Sequence, residues 1–266
     1  MARFGLIGNP IAHSKSPALF KAAYSGEDSY ELIEAESLEA SMDKFLNSDF
    51  KGINVTSPYK DVVMQYVSCP DRVSALLGSA NVLLKGDANG KVEIFSYNTD
   101  YYGVKNTIGE FLSRKDILPK KLVNGIGSVM VIGAGGAGKA AALAVRDMGY
   151  KVYLANRSAG KVAEYAAAIG AEYIPLDAVK EVIGGVDLVI YSLSFLIDGL
   201  KGVDLCGKMV FEANYAHPVL APECGVESGL YIDGKWWLYN QAIPAFELFT
   251  GKTPNGLNMR EMIGVK

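Results

Sequence analysis

The chain has 266 residues, of which 50% are hydrophobic and 21% charged, a balance that argues against disorder and supplies one large or two modest cores. A formal net charge of −3 gives no general basic field, which argues against nucleic acid as a partner but leaves room for a local pocket for one phosphorylated ligand. The cysteines Cys69, Cys206 and Cys224 are odd in number, far apart and without a histidine cluster. No disulfide framework and no metal site are expected, and with no signal-like or membrane-spanning apolar run the reading is a soluble cytoplasmic protein.

From the N-terminus, strands alternate with helices. A first strand, Arg3 to Ile7, ends in the polar loop "GNPIAHSKSP". A helix over 16–25, a strand over 29–35 and a helix over 37–47 follow; a further strand from Lys51 ends at Thr56, Pro58 breaks the pattern, and a helix is expected from Lys60 to Val67. A long helix with a polar connector is read from Tyr101 to Asn124, and "GSVMVIGAGGAGKAAALAVRDMG" then opens a new βαβ series that runs to about Gly234. The last stretch, "WWLYNQAIPAFELFTGK", is amphipathic and helical. The expected fold is therefore α/β with two domains: 1–103 joined by a returning tail, 235–266, and a Rossmann-type dinucleotide-binding domain, 104–234.

The most direct chemistry lies in "VMVIGAGGAGKAAALA", where Gly133, Gly135 and Gly138 form G-x-G-x-x-G between a β-branched run and an alanine-rich helix. In that setting the loop residues Gly133, Ala134, Gly135, Gly136, Ala137 and Gly138 let backbone amides and the helix N-terminus approach a pyrophosphate. About 20 residues on, an NAD site places an acidic residue for the ribose hydroxyl. Here Asn156, Arg157 and Ser158 end the second strand and Lys161 follows, so positive charge replaces the carboxylate and NADP is favoured over NAD. The plain alternatives are a glycine turn and a solvated helix start.

Hydride transfer to a carbonyl needs a proton donor for the oxygen. Lys60 in "NVTSPYKD" and Asp100 in "SYNTDYYG" are the candidates, the second within reach of the first across an expected interdomain cleft. Taken alone, Lys60 also reads as an ordinary surface lysine, and Asp100 as the N-cap of a helix beginning at Tyr101.

In this order and at these intervals, "GNPIAHSKSP", "GINVTSPYK", "YNTDYYG", "GAGGAGKA" and "NRS" resemble the shikimate dehydrogenases, and the resemblance continues into "YNQAIPAFELFTGK". It implies reversible NADPH-dependent reduction of 3-dehydroshikimate to shikimate, with Lys60 and Asp100 as the catalytic pair. It further implies that Ser14 and Ser16 hold the substrate carboxylate, that Thr56, Asn81 and Gln241 meet ring hydroxyls or the carboxylate, that Tyr215 lies near the substrate and Gly234 beside the nicotinamide, and that His13 shapes its loop. Domain closure on ligands and a monomer or homodimer fit the same picture.

Four positions depart from the usual pattern: Val82 where a threonine is common, Tyr191 and Leu193 where small or polar residues approach the cofactor, and Tyr101 where a small residue follows the aspartate. The alternatives are a quinate/shikimate dehydrogenase with relaxed cofactor use, and a non-catalytic NADP-binding sensor on the same fold.

Overall fold

The computed structural model describes residues 1–24, 26–88, 90–118, 122–220 and 230–265; Cys224 lies outside the described residues. In chain order the elements are β1 (Arg3–Ile7), α1 (Ser16–Ala23), β2 (Ser29–Leu32), α2 (Leu38–Leu46), β3 (Phe50–Val55), a 3₁₀ turn (Val62–Tyr66), β4 (Cys69–Pro70), α3 (Arg72–Leu77), β5 (Val82–Ala88), β6 (Lys91–Tyr97) and α4 (Thr99–Ser113). They continue with β7 (Ser128–Ile132), α5 (Gly136–Asp147), β8 (Lys151–Asn156), α6 (Gly160–Ala168), β9 (Glu172–Pro175), the short α7 (Val179–Val182), β10 (Leu188–Tyr191), β11 (Met209–Glu212), β12 (Tyr231–Asp233), α8 (Lys235–Thr250) and α9 (Gly256–Ile263). Two compact units result, Met1–Tyr102 with Tyr239–Lys266, and Gly103–Leu238, so that the division falls within α4 and within α8. Among the described residues, no helix is long and apolar enough to cross a membrane.

The first unit is built on a mixed six-stranded sheet in the order β2-β1-β3-β5-β6-β4. Strands β1, β2 and β3 pair in parallel through the intervening helices, whereas β5 and β6 form an antiparallel hairpin that joins β3 on one side. The hairpin turns where the Asp87 carboxylate accepts the Gly90 amide at 2.9 Å and Gly90 takes φ +79°, a conformation glycine adopts without a Cβ penalty. Helix α2 starts where Ser37 Oγ accepts the Ala40 amide, and its buried stripe of Leu38, Met42 and Phe45 covers Ile7, Ile53 and Leu83. Elsewhere in the unit, Phe249 of α8 stacks on Phe4 of β1 with centroids 4.9 Å apart, Phe246 tilts on Phe20 of α1 at 5.3 Å, and the Asn255 amide donates to the Ala23 carbonyl. These contacts tie the C-terminal helices to the N-terminal strand.

In the second unit all six strands run parallel in the order β12-β11-β10-β7-β8-β9. Counted within the unit this is the 3-2-1-4-5-6 arrangement of a doubly wound dinucleotide-binding fold, with the order reversing between β7 and β10. Strands β7, β10 and β11 are apolar nearly throughout and buried on both faces, as a parallel sheet covered by helices requires. The alanines of α5, Ala140, Ala141, Ala142 and Ala144, are fully buried and let that helix pack closely on the sheet.

Two local expectations change. The helix expected over 60–67 is a 3₁₀ turn at Val62–Tyr66: the segment is one turn and a half long, carries adjacent β-branched valines and is closed by i→i+3 bonds such as Val67 to Met64. Helix α4 begins at Thr99, so Asp100 lies in its first turn and does not cap it. The stretch 68–97 holds elements not anticipated above, although its punctuation is plain: Asp71 Oδ1 accepts the Ser74 amide at 2.7 Å to start α3, and Gly78 at φ +59° ends it.

Gly138 tests the packing of the second unit. A Cβ there would press on the carbonyl of Gly133 and lie 2.8 Å from its carbonyl carbon and 2.9 Å from Ser192 Oγ, all of it backbone or tightly held. Gly138→Ala should lower stability in urea unfolding by about 1–3 kcal/mol, as over-packing of a tight contact does, despite alanine's better helix propensity.

Candidate functional site

In the first unit, Lys60 Nζ donates to Asp100 Oδ2 at 2.6 Å. The pair is held at both ends by backbone: the Ala80 amide donates to the Lys60 carbonyl at 2.9 Å, and Thr99, which precedes Asp100, donates its amide to Asn81 Oδ1 at 2.7 Å. Asp100 is largely buried, at 9% side-chain exposure, whereas Lys60 keeps 20% of its side chain accessible, so a reactant can reach the ammonium while the carboxylate fixes its direction.

Asn81 is buried and its side chain is fully committed. Its Nδ2 donates to Thr99 Oγ1 at 2.9 Å and to Gln241 Oε1 at 3.3 Å, and Thr99 Oγ1 also donates to Gln241 Oε1 at 3.1 Å. Asn54 Nδ2 donates to the Asn81 carbonyl at 3.0 Å, and Tyr30 donates its hydroxyl to Asn54 Oδ1 at 2.7 Å. Burial pushes the Tyr30 hydroxyl well up from its ordinary range, which keeps it a neutral donor. Ser16, Tyr30, Asn54 and Gln241 also share, with Phe20 and Phe249, the wall of a cavity of about 20 Å³, space for a single water and too small for an organic ligand.

At the N-terminal loop, Ser14 Oγ donates to Ser16 Oγ at 3.2 Å and accepts the Ser16 amide at 3.2 Å, an arrangement that gathers two hydroxyls on one side of the turn. Thr56 follows β3 and its amide donates to the Ile7 carbonyl at 2.9 Å. A Cβ on Gly8 would collide with Thr56 Cγ2 and lie 2.7 Å from Ile11 Cγ2, so the first loop reaches Thr56 only with glycine at that point. His13 is exposed.

In the second unit, Gly133 takes φ +98° immediately after β7, and a Cβ there would meet Ser192 Oγ at 2.5 Å and Leu193 Cδ2 at 2.9 Å. Gly135, at the N-cap of α5, has open space over it and no side-chain cap, so the first amides of α5 with Gly136 and Ala137 face outward from the turn. Ala134 donates its amide to Asn156 Oδ1 at 3.3 Å, and Asn156 Nδ2 donates to the Ser158 carbonyl at 3.2 Å. Arg157, Ser158 and Lys161 are exposed, and among the described residues neither cation pairs with a carboxylate. An open glycine cradle, uncapped helix amides and two free cations where a ribose-binding carboxylate would stand fit a dinucleotide carrying a 2′-phosphate.

Tyr215 follows β11, half-buried, with burial pushing its hydroxyl up. Gly234 follows β12, where a Cβ would lie 2.7 Å from the Glu212 carbonyl oxygen, so this close approach of backbone to β11 excludes a side chain. Both stand at the carboxyl edge of the parallel sheet, the edge at which such folds bind ligands.

The structure thus pairs Lys60 with Asp100, sets beside that pair a hydrogen-bonded group of Asn81, Thr99 and Gln241 joined to it through the backbone of Ala80 and Thr99, and assembles Gly133 to Gly138 with Asn156 in the second unit. Of the positions that depart from the family pattern, Tyr191 turns inward: its ring is fully buried, and its hydroxyl donates to the Phe195 carbonyl at 2.6 Å. Leu193 stands beside Gly133. Tyr101 is buried edge-on against Tyr102, and Val82 is buried in β5. Thr99, Asn54 and Tyr30 were missed by sequence reasoning. Thr99 was signalled only by its place beside Asp100, and Tyr30 and Asn54, 24 positions apart, share no local pattern.

Comparison with known proteins adds to this geometry. Residues 6–83 match the family model of the shikimate dehydrogenase substrate binding domain, and residues 120–195 match that of shikimate / quinate 5-dehydrogenase. The chain is 32% identical to shikimate dehydrogenase (NADP(+)) of Natronomonas pharaonis, over 94% of this chain and 93% of that protein. It is 33% identical to the enzyme of the same name from Archaeoglobus fulgidus, over 98% and 97%. A crystal structure of shikimate 5-dehydrogenase from Thermus thermophilus in complex with NADP(H) and shikimate superposes with a TM-score of 0.75 at 26% identity, covering 99% of both chains.

The Asn81 carboxamide is the member of the first group most open to test. Asn81→Asp keeps its shape but turns the donor facing Thr99 Oγ1 and Gln241 Oε1 into an acceptor, and a loss of about 1–3 kcal/mol is expected in urea unfolding. Unchanged stability would show that those bonds do not hold the group together.

Proposed function

The chain belongs to the shikimate dehydrogenase family, and from that premise we propose that it catalyses the reversible NADPH-dependent reduction of 3-dehydroshikimate to shikimate, a step in aromatic amino acid biosynthesis. The observation that carries the reading is the Lys60–Asp100 pair at 2.6 Å, partly accessible and braced through Ala80 and Asn81.

When bound, NADPH would supply the hydride that adds to the C3 carbonyl carbon of the substrate. The Lys60 ammonium gives its proton to the carbonyl oxygen as the C=O π bond becomes a C–O single bond, and the neutral amine is reprotonated from solvent; in the reverse direction the amine takes the hydroxyl proton. Asp100 orients Lys60 through Oδ2 and offers Oδ1 to a substrate hydroxyl. Ser14 and Ser16 bind the substrate carboxylate as neutral donors, and Thr56 and Gln241 meet ring hydroxyls, while Asn81 sets the position of Thr99 and Gln241. In the second unit the amides of 135–138 at the α5 N-terminus receive the pyrophosphate, while the Ala134 amide stays on Asn156, and Arg157, with Ser158 and Lys161, receives the 2′-phosphate.

The initial rate of NADP⁺ reduction by shikimate should be readily measurable in the parent and fall by more than about a hundredfold in Lys60→Ala, the scale of a lost general acid or base. Tight NADP⁺ binding with no turnover of shikimate or quinate would instead identify a nucleotide sensor. Separately, Arg157→Ala should weaken NADP⁺ binding by about ten- to a hundredfold, as loss of a charge-assisted contact does, and leave NAD⁺ binding unchanged. Equal effects on both nucleotides would remove Arg157 from the 2′-phosphate site.

A further inference from the structure

Strand β10 ends at Tyr191, at the point of the second sheet where the strand order reverses, directly beside β7 and its glycine turn. The segment that leaves it, 192–197, is fastened at two ends. At the near end the Ser192 amide donates to the Ile132 carbonyl at 2.9 Å, and its hydroxyl reaches the carbonyls of Ile132 at 3.1 Å and Gly133 at 3.3 Å. At the far end Ile197 is buried in the core, and the backbone is held by one side-chain oxygen: the Tyr191 hydroxyl donates to the Phe195 carbonyl at 2.6 Å and accepts the Ile197 amide at 3.2 Å. Between them Leu193 lies against Gly133, and Phe195 is 54% exposed.

A phenol suits this place because one oxygen both donates and accepts, so it satisfies two backbone groups of a segment that forms neither helix nor strand. The ring itself is immobilised in the buried cluster that includes Ile174, Ile197 and Leu220. A floor of sheet therefore fixes the hydroxyl, and the hydroxyl, together with the buried Ile197 side chain, fixes the far end of the loop.

We propose that Tyr191 is a positioning residue of the nucleotide site: its hydroxyl holds the 192–197 segment closed, which keeps Leu193 seated against Gly133 and preserves the shape of the crevice beside the glycine turn. The crevice at such a reversal of strand order, outside the carboxyl ends of the strands, is where these sheets receive their ligand. The inference rests on the NADP-binding reading given above and names a residue that touches no ligand. Without the hydroxyl the Phe195 carbonyl and the buried Ile197 amide lose this partner, and the loop regains conformations that the nucleotide must then exclude on binding.

The test is Tyr191→Phe, which retains the ring and removes one oxygen. The dissociation constant of NADP⁺, measured by calorimetry without substrate, should rise about tenfold, the scale of two backbone groups losing a partner. Amide exchange across 192–197 in the ligand-free protein should quicken, KM for NADP⁺ should rise with kcat at saturation unchanged, and the dissociation constant of shikimate should not move. NADP⁺ affinity equal to the parent's would overturn the proposal whether or not exchange quickens. A parent that binds no NADP⁺ would overturn the functional reading itself and this inference with it. If Tyr191→Phe does not fold, Ser192→Ala, which removes the hydroxyl bonds of the near end and leaves its amide bond to Ile132, carries the same expectation, and parental NADP⁺ affinity in that variant counts against the proposal.

Discussion

The first unit's chemistry depends on the dipeptide Ala80-Asn81. The Ala80 amide holds the carbonyl of Lys60, and the Asn81 side chain holds the amide and hydroxyl of Thr99, so both members of the 2.6 Å ion pair are positioned from adjacent residues. Asn81 is in turn tied by backbone to β3 and β6, through Val55 and Tyr97, and by side chain to Gln241 of α8. Loss of its register by one residue would move Thr99 and Gln241 together. The ion pair itself adds little to stability, since a partly hydrated pair offsets much of its attraction by desolvation and ordering. Its value is direction: a carboxylate that cannot turn holds an ammonium that can still meet solvent.

The second unit solves a different problem with the same economy. A pyrophosphate must come close to backbone amides, and side chains prevent that approach. Gly133 supplies a left-handed turn into which Ser192 and Leu193 pack from the neighbouring strand, and Gly138 allows α5 to sit against that turn. Between them Gly135 leaves free space over the helix N-terminus. The glycines thus hold two contacts tight and one position open, and the open one faces the uncapped amides.

These local constraints explain what could be read from sequence. The alternation of strands and helices follows from apolar runs and their periods, and the glycine turn follows from exclusion of Cβ atoms within six residues of chain. Lys60 and Asp100 could be nominated by chemistry, but their contact spans 40 positions and only the set of motifs connected them. The β5–β6 hairpin was missed although Asp87 and Gly90 mark its turn, because β5 opens on three successive apolar residues, Val82, Leu83 and Leu84, and runs on through Lys85 and Gly86 without alternation. The chain Tyr30–Asn54–Asn81 was invisible for a firmer reason: each link is a hydrogen bond between distant strands, and neither propensity nor period carries any trace of it. The direction of Tyr191 was not legible either: a tyrosine at a strand end meets a ligand only if it turns outward, and here two backbone partners hold it inward.

Asn156 shows how the cofactor preference is built into the fold and not merely added to its surface. The residue at the end of β8 must accept the Ala134 amide to fix the glycine turn, and here it also donates to the Ser158 carbonyl, which curls the chain toward α6. An aspartate would accept the first bond at least as well but could not make the second. It would also place negative charge beside Arg157 and Lys161, where the 2′-phosphate site is proposed, and so offset their attraction for an anion. Asparagine performs both structural tasks without charge. The neutral carboxamide therefore closes the turn without pairing the two exposed cations, as the proposed 2′-phosphate contact requires.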